Sequence, residues 1–123
     1  MKRKARPIRP LTASEGEQLM VYGALDNPTR LLAYRILYEE PDIPFNALAR
    51  KLGVKTGLAA YHLAVLKASG LVEFRYVRRS KATSLYRLTD FGLRWYRRLF
   101  GPRGLVARER ARARRPARSK AAG

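Results

Sequence analysis

Between residues 55 and 87 the sequence carries several lysine and arginine side chains and a single acid, Glu73. Cations on long side chains bind phosphate or carboxylate groups by charge and hydrogen bonding. The seven basic residues of this segment are Lys55, Lys67, Arg75, Arg78, Arg79, Lys81 and Arg87. Their number favours an anion-binding surface, and a solvated charged face is the alternative.

Other side chains that could do chemistry are few. The chain has no cysteine and one histidine, His62. No serine or carboxylate clusters around that histidine in the sequence, so we expect no catalytic residue, no metal site and no cofactor. The sequence therefore predicts a binding protein and not an enzyme.

The positive charge is spread unevenly over the chain of 123 residues, which carries 27 Lys+Arg against 9 Asp+Glu and a formal net charge of +18. An excess of this size points to a polyanionic partner. We predict a disordered basic arm at residues 1–10 (+5), a domain at residues 11–101 (+6) and a basic, disordered tail at residues 102–123 (+7). We expect the arm and tail to track phosphates, and the alternative is that they only improve solubility.

Neither a membrane segment nor a secretion signal is expected. No apolar stretch is long enough to cross a bilayer, and the basic N-terminus has no apolar core behind it. The sequence therefore predicts a cytoplasmic protein with no membrane partner.

Apolar spacing and capping residues predict four helices before the basic hairpin. Ser14 to Glu17 fits a capping box for a first helix that runs to about Leu25, and Asn27-Pro28 begins a second. A short third helix begins at Pro44 and ends at Gly53, and a fourth spans residues 55–69.

After Gly70 the spacing of apolar residues changes from helical to extended. Residues 72–77 and 84–88 predict two strands around a charged turn at residues 78–83, and a last helix follows Thr89 or Asp90. The predicted fold is mainly α with a small β-hairpin (α+β), in the order α-α-α-α-β-β-α, which is a winged helix-turn-helix. In this arrangement the fourth helix enters a DNA major groove and the hairpin reaches the neighbouring backbone.

The side chains predicted to contact DNA come from the fourth helix and the hairpin. They are Lys55, Thr56, Leu58, Tyr61, His62, Lys67, Arg75, Arg78, Arg79, Lys81 and Arg87. The alternative for Tyr61 and His62 is that one of them packs against the second helix or the hairpin.

Four segments occur in an order that carries a family resemblance: LDNPTRLLAYRIL, LARKLG, YHLAVLKASGLV and YRLTDFG. Over about residues 26–100 the sequence resembles the arsenic-repressor-like (ArsR-type) winged-helix regulators and their archaeal relatives. The resemblance implies a homodimer that binds double-stranded DNA and is paired through its first and last helices. The absence of cysteine departs from the members that sense metals, and Leu58-Ala59-Ala60 replaces the hydroxyl residues common early in the recognition helix.

The last helix is richer in large apolar side chains than one core-facing stripe requires, which predicts a partner surface. We predict that Leu19, Tyr22, Trp95 and Leu99 lie near the two-fold axis of the dimer. The alternative for Trp95 is that it covers the core of its own domain.

The sequence therefore predicts a double-stranded DNA-binding protein, either a transcriptional regulator or a nucleoid-associated factor. A ribosomal or other RNA-binding protein is the first alternative, because small arginine-rich chains with basic tails are typical of that class. A major-groove helix cannot read A-form RNA, which argues against it. A winged helix that binds an acidic protein partner is the second alternative.

Overall fold

The computed structural model describes residues 7–76, 84–102, 104 and 113. Its helices are α1 (Ala13–Leu25), α2 (Pro28–Glu39), α3 (Phe45–Leu52), α4 (Thr56–Ala68) and α5 (Asp90–Phe100). Its strands are β1 (Ile43–Pro44), β2 (Val72–Tyr76) and β3 (Ser84–Leu88). The prediction of a mainly helical winged helix-turn-helix is confirmed, and the strands β2 and β3 belong to the wing.

Helix α1 begins two residues earlier than predicted. Its N-cap is Thr12, whose Oγ1 accepts from the Glu15 amide at 3.1 Å, while the Glu15 carboxylate accepts from the Thr12 amide at 2.9 Å. Arg9 also donates to both carboxylate oxygens of Glu15, at 3.2 and 3.1 Å, and this contact lowers the pKa of Glu15. The predicted box at Ser14 is therefore wrong, because the reciprocal pair supported by Arg9 forms instead.

Helix α2 is the central helix of the domain and packs against α1, α3, α4 and β3. It begins as predicted: the Asn27 side chain accepts from the amides of Thr29 and Arg30 at 2.9 and 3.1 Å, and Pro28 follows. Tyr34 at its centre is fully buried, and its hydroxyl donates to the Gly92 carbonyl oxygen at 2.6 Å. Burial raises the pKa of this phenol.

The sheet contains a third strand that was not predicted. Ile43 and Pro44 pair with Tyr86 and Leu85, so the order in the sheet is β1-β3-β2, all antiparallel. The prediction of only two strands, with the third helix beginning at Pro44, is therefore wrong, because Ile43 and Pro44 form β1 before α3 begins. Two residues, one of them proline, are too short to show the alternation by which strands are recognised in a sequence.

One apolar core holds the elements together, with contributions from all the helices and from each strand. The largest fully buried side chains come from α1, α2, α3, α4 and the start of the wing. They are Val21, Tyr34, Leu37, Leu48, Leu63, Leu66, Leu71 and Val72.

Helix α4, the wing and α5 meet at a polar junction formed by Gly70, Leu71, Thr89 and Gly92. Thr89 Oγ1 donates to the Gly70 carbonyl oxygen at 2.5 Å and accepts from the Gly92 amide at 2.9 Å. The Thr89 amide donates to the Leu71 carbonyl oxygen at 3.1 Å. Gly92 lies so close to Leu71 that a Cβ atom at this position would overlap the Leu71 carbonyl oxygen.

The close approach predicts that Gly92→Ala lowers the free energy of unfolding by about 1–3 kcal/mol or more, as forced overpacking does. Gly16→Ala is the matched control, because Gly16 lies within α1 with nothing within 4 Å of the added carbon. We expect this control to stabilise the protein by about 0.5–1 kcal/mol, the usual cost of a helical glycine. Urea denaturation followed by circular dichroism measures the free energy of unfolding of both variants. Equal changes in the two variants would contradict the close contact at Gly92.

Candidate nucleic-acid interface

A tight turn at Gly53 joins α3 to α4. Gly53 has φ 68° and ψ 26°, in the left-handed region that glycine adopts without a side-chain clash. Its amide donates to the carbonyl oxygens of Ala49 and Arg50, both at 3.1 Å, and this ends α3. Lys55 is then extended and forms the N-cap of α4. The predicted helix–turn–helix link is confirmed.

Helix α4 has a buried face and an exposed face. The residues packed into the core are Ala59, His62, Leu63 and Leu66. The exposed residues among those predicted to contact DNA are Lys55, Thr56, Leu58, Tyr61 and Lys67. Leu58 and Tyr61 on this face are 47% and 58% exposed.

His62 lies on the buried face of α4 and not among the exposed side chains. It is 6% exposed, and its Nδ1 lies 3.2 Å from Nη1 of Arg30 on α2. Burial, and then the charge of Arg30, lower the pKa of His62. The structure therefore supports the alternative for this residue, packing against the second helix, over the prediction that it faces a groove.

The Lys67 side chain connects the end of α4 to the wing. Its Nζ lies 4.0 Å from the centroid of the Phe74 ring, within range of a cation–π interaction. Phe74 in turn contacts the rings of Tyr76 and Tyr86, with centroids 5.4 and 5.6 Å away. Lys67 thus presents its charge in the crease between the helix and the wing.

The strand register places Arg75 and Arg87 on the other face of the wing. Glu73 lies opposite Arg87, and Arg75 lies opposite Leu85, whereas Phe74 lies opposite Tyr86 on the face of Lys67. Arg87 Nε donates to the Glu73 carboxylate at 2.7 Å, so part of its charge is balanced within the wing, while Arg75 is exposed. The predicted basic residues of this region therefore occupy two faces and not one.

Three predicted contacts, Arg78, Arg79 and Lys81, lie outside the described residues. Strands β2 and β3 lead into and out of their segment. Their assignment to the DNA backbone stays a prediction.

Two features of the site were not predicted. Gly57, Ala60 and Ala64 are exposed on α4 and leave much of its outer face without bulky side chains. Arg30 supports the inner face of α4 through its contact with His62. The spacing of Arg30 and His62 in the sequence contains no signal for this contact, because 32 positions separate them.

The residues predicted for a dimer interface divide into two pairs. Leu19 and Tyr22 on α1 are 58% and 42% exposed, as an interface requires of the free protomer. Trp95 and Leu99 on α5 are buried in the core of their own protomer, and Trp95 meets the Tyr22 ring edge-on with centroids 5.9 Å apart. The alternative for Trp95, covering its own core, is the one that the structure shows.

The part of the chain that the structure describes has neither a candidate metal site nor a helix that could span a membrane. No group of three or more His, Asp or Glu side chains there could hold a metal ion. None of the described helices is both long and apolar enough to span a membrane.

The described elements match a known family of domains. Residues 26–73, which contain α2, α3, α4 and the start of β2, match a family model described as winged helix-turn-helix DNA-binding. Over these residues the sequence is similar to that family, and the structure has the winged helix-turn-helix fold. In this fold the exposed helix α4 occupies the position of the recognition helix, and the hairpin of β2 and β3 occupies the position of the wing.

Solved structures with this fold include transcriptional regulators. A homodimeric winged helix-turn-helix DNA-binding domain from Mycobacterium bovis, a possible ArsR-family transcriptional regulator, is similar with a TM-score of 0.66 and 25% identity, over 85% of this chain and 91% of that chain. An ArsR-like transcriptional regulator from a Rhodococcus species has a TM-score of 0.59 and 29% identity, over 83% and 92%. A transcriptional regulator homologue from Pyrococcus horikoshii has a TM-score of 0.63 and 26% identity, over 80% and 96%. No curated protein sequence matches the chain significantly.

Proposed function

We propose that the protein is a homodimeric transcriptional regulator of the ArsR type that binds double-stranded DNA. The recognition helix α4 enters the major groove, and the wing and the basic termini contact the phosphate backbone. The observation that carries the proposal is the exposed face of α4. The opposite face of the helix is packed into the core, so the exposed face lies beside a wing whose sequence is basic. The likeness to solved regulators supports the regulatory role.

The first turn of α4 is suited to a phosphate or a base edge. Its N-cap, Lys55, makes no side-chain capping hydrogen bond. The amides of the first turn therefore have no side-chain partner there, and the positive end of the helix dipole favours an anion. Thr56 and Tyr61 carry hydroxyl groups that can bind base edges, and Leu58 can contact a thymine methyl group.

Apolar exposure on α1 supports the dimer. Leu19, Met20 and Tyr22 are all more than two-fifths exposed. Exposed apolar groups of this size within one helical turn are typical of a partner surface. The similar domain from Mycobacterium bovis is homodimeric. A two-fold dimer would place two recognition helices on the two halves of one DNA site.

The small residues on the outer face of α4 favour a second candidate, a nucleoid-associated factor with little sequence preference. Gly57, Ala60 and Ala64 have no side-chain groups that form hydrogen bonds with base edges. Either function places the protein with the DNA in the cytoplasm.

The RNA-binding alternative has no support in the comparisons. The matched family and the similar structures concern DNA binding or transcriptional regulation. The same likeness supports a role other than catalysis. The archaeal-type assignment rests on the sequence resemblance alone.

Salt dependence of duplex binding tests the proposal. The observed binding constant falls with salt on a log–log slope of about −0.9 for each phosphate neutralised, so contacts from helix, wing and termini predict a slope steeper than about −5. Fluorescence anisotropy of the full chain on duplex DNA, with structured RNA and single strands as competitors, measures it. A slope near −1, absence of duplex binding at low salt, or preference for RNA would overturn the proposal.

The recognition helix and the wing should differ in what they contribute. Changing Thr56 or Tyr61 to Ala should alter the preference among DNA sequences by about 1–3 kcal/mol for each lost base contact and leave the salt slope nearly unchanged. Changing Arg78 and Arg79 to Ala should weaken binding about equally on all duplexes and flatten the slope by about one unit for each phosphate contact. Selections from random DNA with wild type and both variants measure the difference, and a wild type that enriches no motif would favour the nucleoid-associated factor.

Dimerisation should depend on the apolar face of α1. Leu19→Lys should shift the protein from dimer to monomer in sedimentation at micromolar concentration, because it places a charge in an apolar interface. Leu58→Lys is the control, since Leu58 is similarly exposed on α4, away from this face. A dimer that survives Leu19→Lys, or a wild type that is monomeric at tens of micromolar, would contradict the proposed interface.

A further inference from the structure

Arg30 connects three helices through one guanidinium group. Its Nε donates to the Ala24 carbonyl oxygen near the end of α1 at 2.6 Å, and its Nη1 lies 3.2 Å from His62 Nδ1 on α4. Its own amide donates to the side chain of Asn27, the N-cap of α2, at 3.1 Å. Ala24 and His62 are buried, with 5% and 6% exposure. The guanidinium is therefore held between two buried acceptors that belong to different helices.

The contact between Arg30 and His62 requires a neutral imidazole. A guanidinium group has donors and no acceptor, so Nδ1 of His62 must accept the hydrogen bond. Nδ1 accepts only when the ring is neutral and carries its proton on Nε2. Protonation would place a donor against a donor and a positive charge against a positive charge.

The surroundings of the ring agree with a neutral state at pH 7. The charged group that faces His62 from α2 is Arg30, and on α4 itself the neighbouring titratable group is Tyr61, whose ring centroid lies 5.2 Å away. Helix α1 contributes the uncharged Ala24 carbonyl group through the same guanidinium. Burial, and then the charge of Arg30, lower the pKa of His62.

We propose that Arg30 and His62 are positioning residues for the recognition helix, and that protonation of His62 releases α4 and weakens sequence-specific DNA binding. The inference rests on the proposed function. Neither side chain contacts DNA in this proposal. His62 precedes the buried Leu63 and follows the exposed Tyr61, so a rotation of α4 that moves the ring away from Arg30 also moves Tyr61 relative to the groove.

The sign of the pH effect separates this role from direct contact with DNA. A histidine that contacts phosphate binds more tightly when it is protonated, because the imidazolium attracts the anion. The contact between Arg30 and a neutral His62 predicts the opposite, a loss of affinity as the pH falls. His62 is the one histidine of the chain, so between pH 7.0 and 5.5 no other side-chain type titrates at its ordinary pKa.

The test compares DNA binding of the full chain at pH 7.0 and pH 5.5 at fixed ionic strength. The probes are the duplex most enriched from random DNA and a random duplex of equal length. For the enriched duplex we expect the affinity of wild type to fall at pH 5.5, by up to about tenfold for each unit by which DNA binding lowers the pKa of His62. The random duplex should be affected less, because phosphate contacts carry its binding.

His62→Asn is the matched variant, since its side-chain oxygen can take the place of Nδ1 as a neutral acceptor that does not titrate. Its affinity for the enriched duplex should stay unchanged between the two pH values. A wild-type affinity that rises at pH 5.5, or one that changes no more than that of His62→Asn, would overturn the inference while leaving the proposed function in place. Absence of duplex binding at pH 7.0 would overturn both.

An NMR titration of the single histidine gives a second measurement that requires no substitution. By linkage, if protonation weakens DNA binding, DNA binding must lower the pKa of His62. We expect the pKa to lie below 6.5 in the free protein and lower still in the complex with the enriched duplex. A pKa that rises or stays constant on binding would contradict the positioning role.

Arg30→Lys separates positioning from folding. A lysine ammonium lacks the fork that reaches both acceptors, so discrimination between the enriched and random duplexes should fall several-fold while the salt slope stays constant. Arg35→Lys, an exposed change on the same helix, should leave the discrimination unchanged. An Arg30→Lys variant that discriminates between the enriched and random duplexes as well as wild type does would count against the proposal.

Discussion

The close approach of Gly92 to the Leu71 backbone is the contact on which the DNA-binding arrangement depends. It lies where α4 has just ended and the wing begins, and where the wing returns into α5. Thr89 bonds to both sides of this contact, and Tyr34 reaches it from α2. A side chain at Gly92 would separate the two backbones, so the packing of α5 against the start of the wing depends on a missing Cβ atom.

Helix α2 orients its neighbours through two polar contacts one turn apart. Tyr34 bonds to the first turn of α5, and Arg30 bonds to α1 and α4. Apolar packing tolerates small rotations of a helix, whereas a buried hydrogen bond is lost when the helix turns, and its loss leaves a polar group unsatisfied. Under the proposed positioning role, these contacts would restrict the rotation of the helices around α2, in addition to any stability that they contribute.

The parts of the fold that local chemistry determines were predictable from the sequence. Asn27-Pro28 and the left-handed Gly53 are signals complete within a few residues, and both lie where they were expected. Strand β1 was missed because its two residues become a strand only through pairing with β3. The sequence did not show clearly which face of α4 is buried. Leu58 and Tyr61 are exposed, so apolar and aromatic residues occur all around the helix and their spacing does not identify the buried side. His62 and Trp95 are buried and meet Arg30 and Tyr22, which are distant in sequence, so local spacing left both of their alternatives open.

The composition of α4 connects its positioning to its proposed function. Its exposed face offers few groups that can read bases, chiefly Lys55, Thr56 and Tyr61, beside residues with small side chains. Most of the binding free energy would then come from charge, which is the same for every DNA sequence. Sequence preference would depend on two or three contacts worth about 1–3 kcal/mol each, and each requires a side chain to meet one base edge. A recognition helix with so few contacts cannot compensate for an error in its rotation, so a buried polar contact that defines the rotation matters more here than in a helix with many base contacts.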